Sequence, residues 1–183
     1  MKLMFASDLH GSAFHCDKMI ETFRKSKAGK LILLGDLLYH GPRNDLPKEY
    51  APKEVISMLN GMKNDIIAIK GNCDATVDQM VLNFPLIECY SSIFIDKRVL
   101  YTTHGDVYNK ENPLPMNKGD SLIYGHSHIF IAQEEENNYY INPGSVSLPK
   151  EGNPATYGIY EDGIFKVLDF EGSTLKRLEL LQH

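Results

Sequence analysis

Three short apolar runs in the first half of the chain each give way to a polar cluster. Leu3 to Ser7 runs into Asp8-Leu9-His10-Gly11, Leu31 to Leu34 into Gly35-Asp36, and Ile66 to Ile69 into Gly71-Asn72-Cys73-Asp74. An unbroken apolar run bounded by glycine is the pattern of a strand covered on both faces. Between these runs the spacing lengthens. Phe14, Met19, Ile20 and Phe23 give residues 14–27 one apolar side, and Val55, Ile56 and Leu59 do the same for a helix opened by Pro52 and ended near Gly61. Strand, polar cluster, helix, strand is the βαβ arrangement, which places ligands beyond the carboxyl ends of parallel strands.

After a short helix expected over 77–83, the pattern becomes β-rich. Strands are expected at Tyr90 to Ile95 and Val99 to Thr103, joined as a hairpin at Asp96-Lys97-Arg98. Others follow at Ser121 to Tyr124, Ile129 to Gln133, Tyr139 to Asn142, Tyr157 to Tyr160, Phe165 to Asp169 and Thr174 to Leu180. Asp162-Gly163 and Glu171-Gly172 mark turns in a meander-like second half. The expectation is an α/β fold of two sheets packed face to face with helices outside, in one domain over 1–183. The stretch from Tyr39 to Pro52, with three prolines and a glycine, is a loop too long for mere connection.

Composition narrows the function. A net charge of −5 without a long Lys/Arg cluster argues against an extended nucleic-acid surface or an anionic membrane as partner. Cys16, Cys73 and Cys89 are odd in number and lack Cys-x-x-Cys spacing, so neither a disulfide framework nor a thiolate zinc site is suggested, and a cytoplasmic setting is expected. The apolar start is broken by Asp8 and His10, and no stretch approaches the ~20 apolar residues of a membrane span.

Candidate chemistry sits at the strand ends: Asp8, His10, Asp36, Asn72, His104, His126 and His128. All are oxygen or imidazole ligands, which suits manganese, iron, zinc, nickel or cobalt better than calcium or a structural zinc. Seven are too many for one ion and suffice for two if one carboxylate bridges, a known clamp for in-line displacement at phosphorus. In Asp8-Leu9-His10 and His126-Ser127-His128 the ligands stand two apart, so an extended segment would aim both members one way. An isolated Asp-x-His or His-x-His is weak evidence, but five such blocks in this order are not a chance pattern.

Those blocks, Asp8-Leu9-His10-Gly11, Gly35-Asp36, Gly71-Asn72-Cys73-Asp74, His104-Gly105 and Gly125-His126-Ser127-His128, resemble the calcineurin-like metallophosphoesterases over almost the whole chain. Gly-Asn-Cys-Asp, together with His40-Gly41-Pro42-Arg43-Asn44 and Asn142-Pro143-Gly144-Ser145, resembles the family's small bacterial phosphodiesterases. The resemblance implies a four-layer α/β/β/α sandwich of two mixed sheets flanked by helices. It implies two divalent transition-metal ions, manganese first. Asp8, His10, Asp36 and His128 would hold one, and Asp36, Asn72, His104 and His126 the other.

With only two charged ligands, such a centre stays positive and would attract phosphate to an acidic protein. A metal-bridging hydroxide is then the expected nucleophile. Many family members carry histidine where this chain has Cys73. A thiol of ordinary pKa near 8.5 is mostly neutral at pH 7 and serves a monoester dianion poorly, which points to a small phosphodiester; the plainer reading is a small inert residue. Asp36, Asn72, Cys73 and Asp74 are the candidate catalytic residues, Asp74 as a positioning group. His40, Arg43 and Asn44 are candidates to reach substrate, or else simply loop surface. Asn142 to Ser145 reads as a turn buttressing the site, and His15 and His183 as surface residues. A phosphomonoesterase, a nucleotide pyrophosphatase and a non-catalytic scaffold of the same fold are the rivals. Monomer and homo-oligomer both stay open.

Overall fold

The computed structural model describes residues 1–181. Strands β1 (Lys2–Ala6), β2 (Lys30–Leu33), β3 (Ile66–Ile69) and β4 (Leu86–Ile87) run parallel, connected by helices α1 (Ala13–Ser26) and α2 (Pro52–Asn60) and shorter turns. The second half supplies β5 (Tyr90–Ile95), β6 (Arg98–Thr103), β7 (Ser121–Ile123), β8 (Ile131–Glu135) and β9 (Asn138–Asn142). It ends in the antiparallel meander β10 (Thr156–Glu161), β11 (Ile164–Asp169) and β12 (Thr174–Glu179). The result is a seven-stranded sheet ordered β12-β11-β10-β1-β2-β3-β4 and a five-stranded sheet ordered β5-β6-β7-β9-β8.

The continuous apolar runs are explained by burial on both faces. Met4, Leu31, Leu33 and Ala68 pack with Met19, Phe23, Val55 and Leu59 of the helices. Their neighbours Leu3, Phe5, Ile32, Leu34 and Ile69 pack instead with Leu100, Ile123, Tyr139 and Ile141 of the smaller sheet. These cores set the two sheets face to face, as expected. The outer side of the smaller sheet buries Leu122, Tyr124 and Tyr140 with Leu114, which belongs to the irregular stretch 104–120. Ser12 caps α1, its Oγ accepting the N–H of His15 at 3.3 Å, and Pro52 opens α2 at a position where its missing N–H costs nothing.

Several expectations change. The second half is not a simple meander: β6, β7 and β9 run parallel, because the long 104–120 connection carries the chain back before β7 begins. The strand expected from Ile129 starts at Ile131, after the left-handed backbone at His128 has turned the chain. The short helix over 77–83 is a 3-10 turn at Thr76–Met80, and β4, only two residues long, had no periodicity to reveal it. His15 is half-buried with its Nδ1 2.8 Å from Ser12 Oγ rather than free on the surface, and His183 lies outside the described residues.

Candidate metal centre

Five parallel strands point their carboxyl ends at one place. Asp8 and His10 follow β1, Asp36 follows β2, Asn72 follows β3, His104 follows β6, and His126 with His128 follows β7. Each chain segment must turn sharply there. Asp8, His10, Asp36, His126 and His128 all have positive φ, from 50° to 67°. Asp and His are among the few residues that tolerate this region, although it remains a cost relative to ordinary backbone. Gly71 has a different role: a Cβ there would strike the backbone N and carboxylate of Asp36, so only glycine lets these two strand ends meet.

One half of the centre is formed by Asp8, His10 and His128. His10 Nδ1 donates to Tyr39 O at 2.7 Å and His128 Nδ1 to Leu148 O at 2.6 Å, so both rings aim Nε2 inward. Those Nε2 atoms are only 3.2 Å apart, and Asp8 Oδ1 lies 3.4 Å from His128 Nε2. Burial pushes His10 below the ordinary imidazole value, which keeps it neutral near pH 7. Burial also pulls Asp8 upward, yet the His128 and His104 rings hold it below the usual carboxylate range.

The other half is formed by Asn72, His104 and His126. His104 Nδ1 donates to Leu34 O at 2.8 Å, which turns its Nε2 toward Asn72 Oδ1 at 2.9 Å. His126 Nδ1 is 2.8 Å from the same oxygen and 3.3 Å from His104 Nε2. Asp36 stands between the halves. Its Oδ2 is 3.7 Å from His10 Nε2 and its Oδ1 3.5 Å from His104 Nε2. Burial works against the charge of Asp36, but His104 and the N–H of Cys73, which donates to Oδ1 at 2.8 Å, hold its carboxyl at about 2. Burial lowers His104 too, and the Asp36 carboxylate outweighs it, raising the ring to about 9.

The donor set fits cations. In neutral rings whose Nδ1–H is committed to a backbone carbonyl, the facing Nε2 atoms of His10 and His128 are both lone pairs. Asp8 Oδ1 is buried beside them without a hydrogen-bond partner. Lone pairs and a carboxylate oxygen converging in this way suit a positive ion. Ligand atoms of Asp8, His10 and His128 lie within 4.8 Å of one another, and so do those of Asp8, Asp36 and His104.

A set of supporting contacts fixes these ligands. Buried Asp74 receives the backbone N–H groups of Asp36, Leu37 and Gly71 at 2.7 to 2.8 Å, and among the described residues hydrogen-bonds to no candidate ligand side chain. Burial pushes its carboxyl up to about 6 against the pull of those three N–H bonds. Asn142 Nδ2 donates to Gly125 O at 2.6 Å, and the hydroxyls of Ser145 and Ser147 both donate to Asp8 O. The 142–145 turn therefore buttresses the site, as its sequence suggested; Ser147 carried no such signal.

Above the candidate ligands opens a cleft of about 880 Å³ lined by Asp36, Asn72, Cys73, His126 and His128, with Arg43, Asn44 and Lys150 also in its lining. Cys73 is half-buried there, its thiol pushed up to about 12 by burial and by Asp36. Asn44 lines the cleft and also ties its own loop, donating to His40 O at 2.8 Å. His40 is not brought to the cleft wall: its ring sits edge-on against Tyr39 and Tyr50, with Nδ1 buried and unpartnered. Lys150 belonged to no motif, and only the fold brings it here.

A two-sheet fold with seven candidate oxygen and imidazole ligands gathered at its strand ends is the pattern of a metallophosphoesterase. Residues 1–162 match the calcineurin-like phosphoesterase superfamily domain, and the chain belongs to that family. It is 45% identical to Phosphodiesterase YfcE of Escherichia coli (strain K12) over 168 residues, spanning 92% of this chain and 91% of that protein. The solved structure of YfcE, a phosphoesterase from E. coli, superimposes with a TM-score of 0.97 at 42% identity, covering 99% of this chain and all of the other. The chain is thus a hydrolase acting on phosphoesters. Vps29 from Entamoeba histolytica, complexed with zinc, shares the fold at 16% identity, with a TM-score of 0.64 over 99% of this chain and 100% of that one.

Proposed function

We propose that this chain is a single-domain phosphodiesterase that works on small diesters in the cytoplasm with two divalent transition-metal ions, manganese foremost. Asp8, His10, Asp36 and His128 would hold one ion, and Asp36, Asn72, His104 and His126 the other. The observation that carries this reading is that the two oxygens of Asp36 face different halves of the centre, one toward His10 and one toward His104. Bound there, the ions would supply an acidified water as nucleophile and positive charge for the phosphoryl oxygens.

The chain's own groups do the rest. The carbonyls of Tyr39, Leu148 and Leu34 each face an Nδ1, which turns the Nε2 of three imidazoles toward the site. Asp74 fixes the main chain on both sides of the Asp36 peptide, and the Cys73 N–H orients the Asp36 carboxylate. Cys73 adds no charge, because a thiol pushed to about 12 stays protonated. A diester monoanion needs less compensating charge than a monoester dianion, so a neutral residue here favours diesters. The test is hydrolysis of bis(4-nitrophenyl) phosphate by metal-stripped protein resupplied with Mn²⁺, alongside metal analysis. Turnover abolished by chelator and about two ions per chain support the reading; no turnover with any of Mn²⁺, Zn²⁺, Fe²⁺, Ni²⁺ or Co²⁺ overturns it.

A further inference from the structure

The cleft over the candidate metal ligands is lined by two cationic side chains, Lys150 and Arg43, and both spring from hydrogen-bonded backbone. Lys150 is exposed, but its N–H donates to the carbonyl of ligand His128 at 3.3 Å, and its own carbonyl accepts both the N–H and the Nδ2 of Asn153, at 3.1 and 2.9 Å. Arg43 sits in a loop tip closed by Asn44, whose N–H donates to Gly41 O and whose Nδ2 donates to His40 O. No carboxylate among the described residues pairs with either cation within 4.0 Å. Two acidic residues share the cleft, and both are engaged elsewhere: Asp36 with His10, His104 and the Cys73 N–H, and Asp74 with three backbone N–H groups.

An anchored backbone lowers the entropy lost when a long side chain engages a ligand. At about 880 Å³ the cleft is also larger than a scissile phosphate needs, leaving room for an ester arm that reaches one of the cations. We propose that Lys150 and Arg43 select phosphodiesters that carry a second negative charge, a further phosphate or a carboxylate, on one ester arm. The inference rests on the phosphodiesterase reading above and names the substrate class within it.

The experiment compares two esters with the same leaving group, 4-nitrophenyl phenyl phosphate and 4-nitrophenyl 3-carboxyphenyl phosphate, on the full chain with Mn²⁺. The wild type should favour the carboxylate ester by about 5-fold in kcat/KM, the scale of a solvent-exposed ion pair. Lys150→Glu and Arg43→Glu should each lower that ratio, the double variant should bring it below 1, and 0.5 M NaCl should erode the wild-type ratio. Lys118→Glu makes the same charge change in the loop before β7, at the far end of the strands, and should keep the wild-type ratio. Equal rates on the two esters, or a ratio unmoved by either cleft reversal, would overturn the inference while leaving the phosphodiesterase standing. Failure to hydrolyse both esters would overturn the two together.

Discussion

Asp74 Oδ2 accepts the backbone N–H of Asp36 at 2.8 Å, so the central carboxylate of the site is set in place by a second carboxylate acting on its main chain. The same oxygen also takes the Gly71 N–H, and Oδ1 takes that of Leu37. Asp74→Asn turns one acceptor into a donor aimed at an N–H. The expected cost is about 2 kcal/mol of stability, read from the midpoint of urea unfolding, together with weaker metal retention. An unchanged midpoint would mean that the three N–H groups find other partners.

Asp36→Asn addresses the bridge itself. It removes the charge that faces both halves of the centre while retaining the shape of the side chain. Turnover of bis(4-nitrophenyl) phosphate should fall at least ~10²-fold, and bound metal from about two ions per chain to one or fewer, with the circular dichroism spectrum preserved. Wild-type turnover in this variant would end the bridging assignment.

Metal loading should also register as stability. The facing Nε2 atoms of His10 and His128 and the unpartnered Asp8 oxygen converge where a cation would hold all three. At a hundred times its Kd, an ion bound only to the folded state contributes about 2.7 kcal/mol, which for a chain of this size raises Tm by roughly 5–10 °C per site. Scanning calorimetry with Mn²⁺ and then with excess chelator measures it; identical curves would contradict the fit of these residues to an ion.

Cys73→His tests the balance between ester classes. An imidazole beside Asp36 can carry a proton where the thiol, at about 12, carries no charge. The ratio of 4-nitrophenyl phosphate to bis(4-nitrophenyl) phosphate hydrolysis should rise by about 10-fold or more. A constant ratio would remove Cys73 from the selection of substrate.

The three thiols should differ sharply toward iodoacetamide in metal-free protein at pH 8. Exposed Cys89 should label first. Cys73 should be slow, since a thiol at about 12 holds only ~10⁻⁴ of its population as thiolate at that pH, and Cys16, fully buried and also at about 12, should label only on unfolding. Peptide mapping over time gives the order, and rapid labelling of Cys73 would show that its sulfur is more open or more acidic than this.

The candidate metal ligands that the fold brings together were legible because each stands at the end of an apolar run long enough to be read as a strand, and because the blocks recur. The meander of β10, β11 and β12 was legible from turn residues such as Asp162-Gly163 and Glu171-Gly172. The parallel pairing of β6, β7 and β9 was not, because hydrophobic alternation carries no information about strand direction. The partner of Asp74 could not be read either: backbone N–H groups leave no trace in side-chain identity. His40 and Lys150 show the limit for loops. One histidine in the suspected loop turns away against Tyr50, while a lysine without any motif reaches the cleft through its hydrogen bond to the His128 carbonyl.

Five of the seven candidate ligands hold backbone angles that glycine adopts freely and other residues adopt at a cost of roughly 1 kcal/mol or more each. A chain selected for endurance alone would have no reason to keep aspartate and histidine at those turns. In the metal-free chain durability and catalysis pull the same five positions in opposite directions, and a bound ion would offset the strain. A descendant that no longer binds metal loses that compensation and should therefore relax first at Asp8, His10, Asp36, His126 and His128.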